Sequence, residues 1–137
     1  MKKIFLILIA LIIVLVCLSI YQKSKNNKSE SLLILINNKN IEVSYSKIKK
    51  LQQMDLEIKK YSGYSLKEVL TSIKIKIEDY KEFTFYSIDG GRISFDEIEN
   101  FYLVFIEDSN EEYLRLVIPQ DDFSQRWLKH VNKIEIN

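Results

Sequence analysis

Hydrophobic and polar positions divide the chain into three stretches. From Ile4 to Ile20 the residues read IFLILIALIIVLVCLSI, seventeen positions without a charge. At about 1.5 Å per residue such a helix reaches ~26 Å, near the short limit for a bilayer core of about 30 Å. The run is apolar around its whole circumference rather than along one stripe. That predicts a membrane-spanning helix, not a helix buried in a soluble core. Tyr21 suits the interface, and Lys23 can extend its ammonium toward headgroups. The anchor is assigned to residues 1–21. Residues 22–31, QKSKNNKSES, contain no apolar side chain and read as a flexible polar linker.

Residues 32–137 carry shorter periods and form the folded domain. Leu32 to Ile36 is an apolar run, Asn37 to Asn40 is turn chemistry, and Ile41, Val43 and Tyr45 alternate with polar neighbours. This predicts a strand hairpin, because Asn tolerates positive φ. Ser46 is placed to cap a short helix through Leu51. Met54, Leu56 and Ile58 alternate as a strand. Ser65 and Glu68 have capping-box spacing ahead of Leu66, Val69 and Leu70, with Gly63 as the tight lead-in. Phe83 to Ser87, a turn at Asp89-Gly90-Gly91, and Arg92 to Phe95 predict a second hairpin, and Asp96 is placed to cap one helical turn. Phe101 to Ile106 reads as a strand buried on both faces, Tyr113 to Ile118 as another, and Lys133 to Ile136 as the last. Phe123 to Val131 is read as a short helix with Trp127 inward. Seven or eight strands joined by short turns, with three short helices, predict an α+β domain, mainly β, with mostly antiparallel pairing.

The lone cysteine, Cys17, lies inside the apolar run, so no intramolecular disulfide can form and the domain has no thiol. The N-terminal helix has three possible fates. Cleavage as a secretory signal needs a small-x-small site, and Cys17-Leu18-Ser19 is a poor one. Lipid attachment to Cys17 wants a small residue before it, and Val16 stands there. A retained single-pass anchor is the reading adopted. The short flank with Lys2 and Lys3 favours the amino terminus inside and the domain on the extracytoplasmic side. The overall charge of +1 hides an asymmetry: residues 82–137 hold five basic and twelve acidic groups. Taken as a whole such a half-domain repels phosphate, which argues against nucleic acid as a partner.

Four blocks resemble the oxidoreductase molybdopterin-binding domain, the sulfite-oxidase-like fold. They are YSGYSLKEVL (61–70), FYSIDGGRISFDEI (85–98), LRLVIP (114–119) and RWLKHVNKIEI (126–136), in the family's order. The resemblance implies the family's fold over about 33–136. Its active enzymes hold molybdenum through a cysteine thiolate, and no residue from Leu18 onward is cysteine. Only Gln52 to Lys60 stands where active members carry the chain with that cysteine. Tyr64-Ser65 replaces Val-Pro, and Gly91 replaces Tyr. The resemblance therefore implies scaffold more than activity. If the pterin alone were held, its phosphate would want converging cations, and the candidates are Arg92, Arg126, Lys129 and His130. Each also has a plainer reading: Arg92 flanks a turn, Arg126 and Lys129 pair with Asp121 and Asp122 on an exposed face, and His130 is a surface histidine.

Other chemistries find little. Structural zinc needs about four Cys or His ligands, and His130 is the only histidine. No nucleophile elbow or Gly-rich phosphate loop is present. Adjacent carboxylates such as Asp121-Asp122 and Glu111-Glu112 diverge in loops. The tyrosines at 61, 64, 80 and 113 are a possible protein-partner face. The expectation is an extracytoplasmic, membrane-tethered, non-catalytic binding module, with no metal and no cofactor expected. The alternative is a reduced molybdopterin-binding or docking subunit of an oxidoreductase or electron-transfer system.

Overall fold

The computed structural model describes residues 1–26, 30–58, 61–121 and 127–137. Helix α1 runs Lys2–Asn26, and its described side chains are exposed throughout. Its window Lys2–Gln22 is long and apolar enough to cross a membrane. The domain begins at β1 (Ser31–Ile36), followed by β2 (Lys39–Ser44), α2 (Tyr45–Lys49), β3 (Gln53–Asp55), β4 (Ser62–Ser65) and α3 (Leu66–Ser72). A 3-10 turn (Ile77–Asp79) leads to β5 (Phe83–Ser87), β6 (Arg92–Phe95), β7 (Tyr102–Asp108), β8 (Glu111–Val117) and β9 (Val131–Ile136). The domain is α+β and mainly β.

Two sheets organise it. Five strands lie in the order β2-β1-β9-β5-β6 and four in the order β3-β4-β7-β8. All strand pairs are antiparallel except β1 with β9, which are parallel with Leu33 opposite Lys133 and Ile36 opposite Ile136. The first and last strands of the domain are thus neighbours in mid-sheet. Strict alternation makes this pairing productive. Leu32, Ile34 and Ile36 face inward with Ile134, Ile136, Phe83 and Phe85, all buried. Leu103, Leu114 and Leu116 of the second sheet, Ile48 of α2, and Leu66, Val69 and Leu70 of α3 join the same core. Each fully buried side chain of this size contributes about 1.5–3 kcal/mol.

Two hairpins follow from local chemistry. Asn37 (φ 48°) and Asn38 (φ 60°) form the two-residue β1–β2 turn, and Ser109 (φ 51°) and Asn110 (φ 66°) form the β7–β8 turn. Positive φ at both positions matches strand twist, which is why Asn is tolerated there.

Several local expectations are corrected. Helix α2 starts two residues early, with Ser44 and not Ser46 as its cap, its Oγ accepting from Lys47 N at 3.3 Å. The strand expected over 54–58 stops at Asp55, because the chain folds back with Leu56 N donating to Tyr61 O. Ser65 sits at the N-cap of α3 but makes no side-chain cap bond, and Leu66 N donates instead to Phe101 O of the neighbouring segment. Gly63 is a strand residue in β4. A Cβ there would lie 2.9 Å from Val104 Cγ2 and 3.1 Å from Leu103 O, so glycine permits the close approach to β7. No helix follows Asp96. The helix expected over 123–131 falls largely outside the described residues. Within it, residues 127–130 are not helical, His130 has φ 54° and Val131 opens β9. Trp127 does point inward, 4% exposed. Tyr64 is buried against Phe105, with ring centroids 5.7 Å apart, so it belongs to the core and not to a partner face.

Candidate functional site

Strand β8 alternates so that Leu114 and Leu116 enter the core while Tyr113 and Arg115 emerge on the opposite face of the four-stranded sheet. Arg115 is paired across β7 with Val104, the residue that Gly63 lets β4 approach. Its guanidinium lies between two rings, with Cζ 5.9 Å from the centroids of both Tyr61 and Trp127. Nη1 donates to Tyr61 Oη at 3.2 Å. Nε is shielded from solvent and has no hydrogen-bond partner among the described residues. Arg115 forms no ion pair with a carboxylate among the described residues.

A cation held partly out of water with an unpaired N–H is costly unless an anion or carbonyl oxygen joins it. Among the described residues, Arg115 is therefore the arginine with an unmet hydrogen-bond donor, its Nε. The sequence reading passed over it, since an arginine between leucines in a strand looks like the solvated half of an alternation. Only the aromatic residues 54 positions before it and twelve after it reveal the cage.

The four cations named from the sequence do not form one site. Arg126 lies outside the described residues. Arg92 is exposed at the start of edge strand β6, its Cζ 5.6 Å from the Tyr86 ring. Lys133 of β9 approaches the same ring, its Nζ 4.2 Å from the centroid. His130 is half-buried, its ring 4.0 Å from that of Tyr113. Lys129 is exposed. Arg92 and His130 share the same end of the five-stranded sheet, but one packs outward on Tyr86 and the other against β8. No hydrogen bond, ion pair or ring contact joins them.

Tyr86 Oη donates to Glu135 at 2.9 Å. That bond holds the Glu135 carboxyl below its usual range, with a further contribution from Asn137, and raises the Tyr86 phenol. Tyr45 is also raised, first by burial and then by Glu30 and Glu112 nearby.

A molybdenum centre of the kind the resemblance implies does not fit these residues. The domain has no thiol, and Cys17 is exposed on α1. Among the described residues, no group of three or more His, Cys, Asp or Glu side chains is arranged to hold a metal ion. Compared with models of known protein families and with curated proteins, the chain matches none.

Proposed function

We propose that this chain is a membrane-tethered, extracytoplasmic, non-catalytic binding module built on the scaffold of the molybdopterin-binding domain. The observation that carries this reading is the joining of two unlike parts. One is a helix that contributes nothing to the core. The other is a domain whose core starts at Leu32 and which contains no cysteine thiolate for molybdenum. The four resembling blocks lend support. They fall on β4–α3, on the β5–β6 hairpin, on β8 and, from Trp127 onward, on β9 and its lead-in.

The test is expression of the full chain in a host that makes the cofactor. The chain should stay with membranes after alkaline carbonate washing, be cleaved by protease added outside intact spheroplasts, and carry no stoichiometric molybdenum. Firmly bound molybdenum with turnover would refute the non-catalytic reading.

The alternative, a reduced molybdopterin-binding or docking subunit, has one observation in its favour: the unpaired Nε of Arg115 in its aromatic cage. It predicts that the metal-free pterin binds the full chain and that Arg115→Gln weakens that binding. Failure of the parent chain to bind pterin would end it.

A further inference from the structure

We propose that the β5–β6 turn is a membrane-docking tip that seats the domain on the anionic surface of the bilayer in which α1 is anchored. The proposal rests on the anchor reading above. It begins with where the chain enters the fold. The apolar window of α1 ends at Gln22 and the helix at Asn26. Those four helical residues rise about 6 Å. The five steps to Ser31 can reach at most about 18 Å. The Ser31 end of β1 is therefore held within about 25 Å of the membrane surface, little more than the length of one of these strands.

Sheet topology decides what else lies at that end. Strand β9 runs parallel to β1, so Val131 is level with Ser31, and Ser87 at the close of β5 pairs with Val131. The turn from Ile88 to Gly91 projects beyond this row, about 10 Å to the side of β1 across two strand spacings. It carries Ile88, 72% exposed and the most exposed large apolar side chain of the domain among the described residues.

The turn is held firmly. Ile88 N donates to His130 O at 3.0 Å, Ser87 N donates to Gly91 O at 2.9 Å, and the Ser87 hydroxyl bonds the Asp89 carboxylate. At Gly91 a Cβ would meet Leu128 Cδ1 at 2.8 Å, so the turn is pressed onto the 127–130 segment. A rigid turn presenting an isoleucine to water has no purpose in the core, and an apolar residue flanked by cations suits the headgroup boundary. The cations are present. Arg92 and Lys133 are gathered on Tyr86 beside the turn, and Lys129 is exposed next to His130. The carboxylate within the turn is Asp89, already bonded to Ser87, and the one beside it is Glu135, which accepts from Tyr86 and faces Arg92 and Lys133, leaving one net positive charge in that trio.

The same end of the domain also carries an acidic groove on the other sheet, lined by Glu30, Glu107, Asp108, Glu111 and Glu112, with Lys49 bound to Glu112. Anionic headgroups repel that groove while they attract the turn. The two sectors together tilt the domain so that Ile88 points down and the β7–β8 hairpin is lifted.

Spin labels in the full chain, reconstituted in phosphatidylcholine vesicles with or without phosphatidylglycerol, test this. One label sits on the native Cys17. Others sit on Ile88→Cys and on Lys39→Cys at the opposite end of the sheet, both in a Cys17→Ser background. Collision with a water-soluble nickel chelate should be lost at 88 but not at 39, and only when phosphatidylglycerol is present. Arg92→Glu and Lys129→Glu should restore it, since each lost cation lowers the ratio of docked to free domain about fivefold and each added carboxylate lowers it further. Equal nickel access at 88 and 39, with Cys17 shielded, overturns the docking tip and leaves the anchor standing. Shielding at 88 that is the same in both lipids overturns the headgroup assignment. Nickel access at Cys17 itself overturns the anchor, and the tip with it.

Discussion

Replacing Arg115 by methionine keeps a side chain of similar length and removes its charge. The lost donation to Tyr61 Oη, at 3.2 Å, is a charged-to-neutral bond contributing about 1.5–3 kcal/mol. The two ring contacts, at 5.9 Å, are near the outer limit of cation–π attraction and contribute about 0.5 kcal/mol each. Against this, the substitution relieves a buried unpaired Nε–H, which costs about 1–3 kcal/mol. It also relieves the remaining expense of keeping a cation partly out of water. The two sides nearly cancel, so Arg115→Met should change stability by no more than about 1 kcal/mol, or roughly 4 °C in Tm. Arg115→Ala loses the same interactions and also leaves a void between Tyr61 and Trp127, so it should cost about 2–3 kcal/mol. Equilibrium unfolding of the full chain in detergent, followed by the fluorescence of Trp127, the only tryptophan, measures both. If the methionine variant is as damaged as the alanine variant, the guanidinium has a strong anionic partner in the fold. The case for Arg115 as a ligand-receptive group then collapses.

Three further predictions follow from packing and hydrogen bonding. Gly63→Ala should cost about 1–3 kcal/mol, because Leu103 O, 3.1 Å from the new Cβ, is backbone and yields only if β4 and β7 part. Faster amide exchange at Tyr64 and Leu66 should accompany the loss, and a neutral result would mean the strands are not so close. Phe85→Ala, at a fully buried position shared by Phe95 and Phe101, should cost about 3–5 kcal/mol. A value near 1 kcal/mol would contradict a packed junction there. Tyr86→Phe removes the donor to Glu135, so the Glu135 carboxyl should titrate closer to its usual range, read by carboxyl carbon NMR. Because the folded pKa of Glu135 lies below its unfolded value, its contribution to stability is present above the unfolded pKa and is lost as pH falls through the folded one. In the variant that contribution should shrink, and an unmoved Glu135 titration would show that Asn137, not Tyr86, sets it.

Much of the domain is legible from local pattern. The charge-free run from Ile4 to Ile20 can only be satisfied by a nonpolar surround, whatever the rest of the chain does. Asn37-Asn38 between alternating strands predicts the hairpin that forms, because turn φ values and strand period are properties of neighbouring residues. The Phe83–Phe95 hairpin and the inward Trp127 are read the same way.

Tertiary structure alone decided the rest, wherever a residue answers to a partner distant in sequence. Ser65 makes no capping bond, and the first amide of the helix, Leu66 N, is satisfied by Phe101 O, thirty-five residues on. Gly63 looks like a turn glycine until β7 is laid against it. Arg115 looks solvated until Tyr61 and Trp127 close on it. Ile88 is merely a turn residue until the parallel pairing of β1 with β9 brings it to the end at which the chain enters the domain from α1. Periodicity and turn chemistry act over a few bonds, whereas register, cage and orientation arise from competition for one shared core, which no single segment encodes.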